Sequence, residues 1–537
     1  MSGAVHPVPD TLASLLLGSH PRRIHLIGVA GSGMSGIAAL LLALGHRVSG
    51  SDKADTVEVE RLRRKGLVFQ TPHGADLVAD ADLVVHSSAI RPGNPAYDAA
   101  LSLGKPMARR AEVLAAVMTG KQGIVVCGMH GKTTTSAMAA HVLKAGGLKP
   151  SHYVGAEIPI LGTNARWDSE GEHLVAEGDE SDGTLVHYRP RHALVLNIEP
   201  EHLDHYPDLA AIDAVFARLL SQTSGNVYFW SDDAGASRVC ASHDRAVAVG
   251  TGEHCRYRLQ GFESGDHSTR FAVFRGKELL GNVTLGIPGA HNVHNAMLVI
   301  ALASDLGIPF EAIASALGSF RGAKRRFELR HRDEEFRIVD DYGHHPTEIA
   351  ATLATARAVL GASGRLLVLF QPHRYSRTAA LLGEFGRSFA AADRVLVAPV
   401  YPAGEAPIAG ADAEAMACEA LRAGHPSVVS VPSVRAAAQE AARILQPGDL
   451  LLTLGAGNIH EAGAILAGEL ALRARLRTAM GPGVIRMAEP LSRHTTMRVG
   501  DPRASGSNPR PRRVSPNWSA SATTRGFRSL SWGADPT

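Results

Sequence analysis

Paired cysteines, long apolar runs and a surplus of charge are all missing from this chain. Its four cysteines, Cys127, Cys240, Cys255 and Cys418, form no CxxC pair, so they read as free thiols in a reducing compartment. The longest apolar runs, such as Ile37 to Leu44, reach eight residues, whereas a bilayer span needs ~20. No basic segment followed by an apolar one opens the sequence, so no secretion signal is expected. The net charge of +3 over 537 residues argues against nucleic-acid or membrane partners. What remains is a cytoplasmic globular protein. At 45% hydrophobic residues burial is ample, and one domain per ~150 residues predicts about three.

Short apolar runs alternate with amphipathic stretches along most of the chain. "RRIHLIGV", "HRVSGSD" and "ADLVVHSSAI" read as strands, with a helix at "MSGIAALLLALG". A second series starts at "GIVVCG" and runs through "HLVAEGDE" and "HALVLNIEP". A third starts near Glu328 with "EFRIVDDY", "RLLVLFQP", "RVLVAPVY" and "DLLLTLGAG". Such βαβ series predict parallel sheets. Arg256 to Arg275 looks antiparallel. The reading is therefore α/β: domains at 1–120 and 328–486, both Rossmann-like, and a P-loop-like domain at 121–327. The segment 487–537, rich in Arg, Ser, Pro and Gly, is expected to be disordered.

Two glycine loops follow predicted strands. Gly31-Ser32-Gly33-Met34-Ser35-Gly36 is a GxGxxG, and Asp52 ends the next strand, where a dinucleotide fold carries its ribose acid. A tight packing turn, an NAD site and a UDP-sugar site all fit it. Gly128-Met129-His130-Gly131-Lys132-Thr133 is more specific. Backbone N–H groups there can cradle phosphates, Lys132 can reach the terminal ones, and the Thr133 hydroxyl can hold Mg²⁺. The gap before Gly-Lys is two residues, where four is usual. Glu177 and His202 each follow a later strand, so both can meet Thr133 around a metal at the carboxyl ends of a parallel sheet. Glu177 is the stronger ligand candidate, because Mg²⁺ prefers carboxylate oxygen.

The ordered motifs "GMHGKTTT", "AEGDESD", "NIEPEHLD", "GAHNVHNA", "GAKRRFE", "DDYGHHPTE" and "QPHRYSRT" resemble those of the Mur ligases, over roughly Arg22 to Arg473. Met129 departs from the pattern, where the family usually has Thr. The resemblance implies ATP-dependent joining of L-alanine to the lactyl carboxylate of UDP-N-acetylmuramate through an acyl phosphate, with Mg²⁺ as cofactor, in a monomer or homodimer. It implies a UDP-sugar site of Gly28, Gly31, Ser32, Gly33, Met34, Ser51, Asp52, His73 and Ser88. It implies an ATP site of Gly128, Met129, His130, Gly131, Lys132, Thr133, Thr134, His291, Asn292, Asn295, Arg326, Asp340 and Asp341. Lys132, His202, Arg326 and His344 are the implied catalytic residues. Thr133, Glu177 and His202 are the implied metal ligands. Tyr342, His344, Arg374 and Arg377 would hold the amino acid, on a last domain acting as a lid. Two cradles then answer two anionic substrates.

Without the family, "GAHNVHNA" reads as a capped helix start, "AKRRF" as a solvated linker, and "DDYGHHP" as a turn and helix start. Two arginines spaced as in "PHRYSRT" also suit a solvated helix face, but the cluster of His373, Arg374, Tyr375 and Arg377 after a very apolar strand favours function. Two rival activities stay open: attachment of a whole tripeptide to the same sugar, and NAD-dependent oxidoreduction at the first loop. "PLSRHTTMRVG", Pro490 to Gly500, resembles the opening of a UDP-N-acetylenolpyruvoylglucosamine reductase. Since no flavin-domain pattern follows, read-through with a shift of frame is expected there.

Overall fold

The computed structural model describes residues 9–480, except 88, 182, 203–204, 266 and 362–363, together with 521–523 and 527–529. The chain divides into two compact units, Met1–Arg326 and Phe327–Thr537.

The first unit holds two sheets. β1 (Arg23–Ile27), β2 (Arg47–Ser51), β3 (Val68–Gln70), β4 (Leu83–His86) and β5 (Met107–Arg109) are all parallel, in the order β3-β2-β1-β4-β5. The ten-stranded sheet comprises β6 (Gln122–Cys127), β7 (Ser151–Tyr153), β8 (Ala165–Arg166), β9 (His173–Glu177), β10 (His192–Val195), β11 (Val227–Trp230), β12 (Ala246–Gly250), β13 (Tyr257–Ser264), β14 (Thr269–Arg275) and β15 (Glu278–Leu285). Its order is β15-β14-β13-β12-β11-β10-β6-β9-β7-β8. The centre is parallel, and β13–β14–β15 form the antiparallel extension expected from Arg256 onward. β6 and β10 are fully or nearly fully buried, as parallel strands covered on both faces must be.

The expected boundary near 120 separates the two sheets but not their cores. One apolar cluster contains Leu26, Ile37, Leu40 and Leu114 from the first sheet and its helices, and Val125, Leu174 and Val195 from the second. Residues 1–120 and 121–326 therefore share a core and fold as one body. Helix Ser32–Ala43 is buried continuously from Met34 to Leu41, because it is covered from both sides rather than lying on a surface.

The main sheet of the second unit comprises β16 (Glu328–Arg332), β17 (Arg337–Asp341), β18 (Leu366–Phe370), β19 (Arg394–Val397), β20 (Val428–Ser430) and β21 (Leu450–Leu454), ordered β16-β17-β21-β18-β19-β20. Only β16 runs antiparallel. Apolar clusters fill both faces. The disorder expected for 487–537 concerns residues that lie outside the described ones, apart from the strand pair Ser521–Thr523 and Phe527–Ser529. The reductase-like Pro490 to Gly500 also lies outside them. No helix among the described residues is long and apolar enough to cross a membrane.

Candidate active site

Strand register brings the phosphate-loop residues together. Val195 pairs with Cys127 and Val126 with Glu177, so the residues that follow β10 and end β9 flank the loop between β6 and helix Lys132–Ala145. Asn197 clasps that loop. Its Oδ1 accepts from His130 N–H at 2.8 Å, its Nδ2 donates to His130 C=O at 3.1 Å, and its own carbonyl accepts from Met129 N–H. Gly128 and Gly131 both have positive φ, 135° and 86°. A Cβ on Gly128 would meet Asn197 N and O at 3.0 Å, and one on Gly131 would meet Asn295 Oδ1 at 2.9 Å. The loop closes tightly because both glycines lack that atom. The departure at Met129 has a simple account: its side chain is buried in the apolar core, away from the loop's polar face.

Lys132 Nζ donates to Gly128 C=O at 2.7 Å, Met129 C=O at 2.9 Å and Glu180 Oε1 at 2.7 Å. Burial opposes its charge, yet Glu180 and Asp179 outweigh burial and hold the ammonium above its ordinary pKa. Thr133 Oγ1 donates to Glu177 at 3.0 and 3.1 Å, and Gly155 N–H donates to Glu177 Oε2 at 2.7 Å. Thr134 is buried on the same turn.

His202 has φ 55°, a left-handed strain common at functional sites. Its described carboxylate contacts are Glu180 and Glu201, not Glu177: Nε2 lies 3.1 Å from Glu180 Oε1 and 3.9 Å from Glu201 Oε2. A carboxylate only accepts, so Nε2 carries the proton. Metal ligation through Nε2 would require that bond to break.

The first loop meets the second in one cavity of about 380 Å³. Gly28, Gly31, Ser32, Gly33 and Met34 line it on one side, and Lys132, Glu177 and Asp179 on the other, with Ser87, Arg110, Tyr153 and Gly155 between. Arg110 donates to Tyr153 Oη at 3.0 Å and to Asp179 Oδ2 at 2.8 Å, while Tyr153 donates to Gly33 C=O at 2.9 Å. Burial would raise the Asp179 pKa, but Arg110 and Lys132 bring it down to about 2. The sequence reading missed Arg110, Tyr153, Asn197 and Glu180.

Other expected site residues find internal partners. Asp52 does not present a free carboxylate to a ribose: Oδ2 accepts from Ala30 N–H at 2.9 Å and Oδ1 from Lys53 N–H, so it braces the glycine loop. Ser51 is fully buried between His25 and His73, 3.3 and 3.0 Å away. Ser88 lies outside the described residues. His291 opens helix Ala290–Asp305, Asn292 Nδ2 caps Pro288 C=O at 2.7 Å, and Asn295 backs Gly131. Arg326 ends the first unit between Arg325 and Phe327, at φ 58° and 50°.

In the second unit, Asp340 accepts from Thr453 Oγ1 at 2.7 Å. Asp341 accepts from Gly343 N–H, Thr352 Oγ1 and Phe327 N–H. Asp341 thus anchors its own turn, as the plain reading of "DDYGHHP" has it, while Asp340 ties β17 to β21. His344 packs edge-on to Tyr342 and to His373, which stacks on Tyr401. Arg374 adopts φ 70° and donates from Nε to Glu405 at 2.6 Å; Glu405 also accepts from Ser376. Arg377 lies one helical turn on, half-buried. Glu405 is a further residue that the sequence reading does not single out.

The donor chemistry around Thr133 suits a hard cation. Glu177 meets only neutral donors among the described contacts, and Glu180 Oε2 is buried without a hydrogen-bond partner. Carboxylate oxygens with acceptor capacity to spare are what Mg²⁺ takes.

Comparisons with known proteins give the family. The chain matches the family profiles "Mur ligase family, catalytic domain" over 23–122, "Mur ligase middle domain" over 126–303, and "Mur ligase, glutamate ligase domain" over 325–457. It is 42% identical to a UDP-N-acetylmuramate–L-alanine ligase of Anaeromyxobacter sp. (strain Fw109-5), over 85% of this chain and 99% of that one. It is also 42% identical to that of Myxococcus xanthus (strain DK1622), over 84% and 95%. The crystal structure of UDP-N-acetylmuramate-alanine ligase from Thermotoga maritima is similar at TM-score 0.71 and 28% identity, covering 84% of this chain and 100% of that one. A murein peptide ligase from Psychrobacter arcticus shares the fold at TM-score 0.63 and 23% identity, covering 84% and 98%. With three successive profiles and relatives covered almost end to end, the chain belongs to the Mur ligase family.

Proposed function

We propose that this chain joins L-alanine to the lactyl carboxylate of UDP-N-acetylmuramate at the expense of ATP. The observation that supports the reading is a cavity lined by the first glycine loop on one side and by Lys132 of the second, with Glu177 and Asp179, on the other. A sugar-borne carboxylate bound along Gly28–Met34 would lie beside the lysine that serves the terminal phosphates. The 42% identity to alanine-adding relatives favours alanine over a tripeptide. The role of Asp52 as a loop brace disfavours the NAD reading.

A carboxylate does not condense with an amine unless it is activated. Lys132 would exchange its carbonyl partners for β- and γ-phosphate oxygens, while backbone N–H groups at the start of helix Lys132–Ala145 face the phosphates. Thr133, Glu177 and His202 would hold Mg²⁺, which offsets phosphate charge when bound. The lactyl carboxylate would attack the γ-phosphorus, forming an acyl phosphate and releasing ADP. Arg326 would add positive charge at that phosphate. His291, Asn292 and Asn295 would line the adenine and phosphates. The alanine carboxylate suits the guanidinium forks of Arg374 and Arg377, with Tyr342 and His344 by the amine. Attack of the free amine on the acyl phosphate would expel phosphate and leave the amide.

Phosphate release with UDP-N-acetylmuramate and ATP, adding L-alanine, L-serine, glycine or the tripeptide in turn, tests this. L-Alanine should give the highest kcat/KM. Preference for the tripeptide would replace the reading by the recycling activity, and no release with any acceptor would end it.

A further inference from the structure

Glu180 is 1% exposed, yet it carries a carboxylate with only one oxygen engaged. Oε1 accepts from Lys132 at 2.7 Å and from His202 at 3.1 Å, and Oε2 has no hydrogen-bond partner among the described residues. Its backbone is fixed as well, since its carbonyl accepts from Tyr206 Oη and Gly183 N–H. A buried ion pair is weak evidence of stabilisation, because desolvation offsets the attraction. An unpartnered buried oxygen is a net cost, and calls for a missing donor or cation. The neighbouring acid does not share this feature: Asp179 is matched by Arg110 and Ser181.

We infer that Glu180 is a positioning residue of the phosphoryl-transfer site, holding Lys132 through one oxygen, on which His202 rests until it turns to the metal, and reserving the other for the hydrated cation that accompanies the nucleotide. The inference rests on the ligase reading above. All three Lys132 donors are already used, by Gly128 C=O, Met129 C=O and Glu180, so phosphate must displace at least one of them. Without a cation, the Glu180 charge competes with the nucleotide for Lys132. With a cation, the same charge attracts it. Glu180 therefore acts on nucleotide binding with opposite signs in the two conditions, which a purely structural carboxylate does not do.

Calorimetric titration of ADP into wild type and Glu180→Gln, in EDTA and in MgCl₂, separates these cases. The expected result for E180Q is about threefold or more tighter ADP binding in EDTA and about tenfold weaker binding in MgCl₂, as loss of one buried charge near the phosphates requires. Shifts of the same sign in both conditions, or none in either, overturn the inference. Glu180→Asp keeps the charge on a shorter arm and decides the matter if E180Q does not fold. It should bind ADP in EDTA as wild type does, while needing severalfold more MgCl₂ for half-saturation; an unchanged requirement overturns the inference too. Wild type that binds no ADP would instead sink the ligase reading itself.

Discussion

Lys132 carries the charge that the reaction needs, and its surroundings keep it protonated at any working pH. Lys132→Ala should lower kcat by about three orders of magnitude or more, as removal of a phosphate-neutralising group does. The lost Glu180 pair makes a fall in stability of about 3 kcal/mol the accompanying expectation, so activity is to be read at a temperature where urea unfolding shows the variant folded. Acid sensitivity is also a residue-scale property. His25, His152 and His192 have pKa values lowered to about 4, burial being the first cause in each. They stay neutral when folded but protonate near 6.5 when unfolded. Their contribution is present above pH 6.5 and lost as pH falls toward 4, at about 2 kcal/mol per histidine between pH 7 and 5. Urea unfolding should therefore show a marked loss across that window. His152→Asn should flatten it by one histidine's share; an unchanged slope would remove His152 from the account.

Among the elements, helix Ser32–Ala43 shows how a familiar motif changes meaning when its neighbours are seen. The GxGxxG reading assigns its glycines to a ligand's diphosphate. Gly31 and Gly33 do line the cavity, but a Cβ on Gly36 would stand 2.8 Å from Tyr153 Cε2, and one on Gly33 would stand 3.1 Å from Tyr153 Oη. The third glycine thus serves the approach of β7. Gly36→Ala should cost about 1–3 kcal/mol by overpacking and raise KM for the UDP-sugar, because Tyr153 also fixes the Gly33 carbonyl. The double variant Gly36→Ala/Tyr153→Ala should be less destabilised than the two single effects summed, as contacting residues couple. Strict additivity in urea unfolding would show that the two do not press on each other.

What was legible in the sequence follows from how local each signal is. The βαβ series, the antiparallel stretch from Arg256, the phosphate loop and the strand-end Glu177 each announce themselves within a dozen residues. Their meeting then follows from the rule that parallel sheets gather function at strand ends. Arg110, Tyr153 and Asn197 carry no such local mark, and Glu180, though it lies within "AEGDESD", is not told apart there from its acidic neighbours. Arg110 finds Tyr153 at a separation of 43 residues and Asp179 at 69, and Asn197 finds His130 at 67. Only strand order and register bring these together. The same limit explains Asp52, Asp340 and Asp341, whose positions suggest ligands while their carboxylates accept from backbone N–H groups nearby, or for Asp340 from the Thr453 hydroxyl on the next strand.

For the molecule as a whole, the shared core makes residues 1–326 one cooperative body, and the matched segment defines what that body and its partner unit need. The relatives are covered over 95–99% of their length by 84–85% of this chain, and the last family profile ends at residue 457. The helix His460–Met480 still packs onto the second sheet, with Ile459, Ala462, Leu466 and Leu470 in its core, so a cut before it would strip one face of β17 and β21. A chain ending at Arg486 keeps that helix and loses only residues beyond the matched architecture. It should retain kcat and KM within about twofold and unfold at the same urea midpoint, since the relatives are matched almost end to end without that segment. A chain ending at Gly457 should lose about 5 kcal/mol or more from the second unit, as several large apolar side chains are removed together. Full activity in that shorter chain would show the helix to be dispensable, and a tenfold loss in the longer one would give residues 487–537 a role in the ligase.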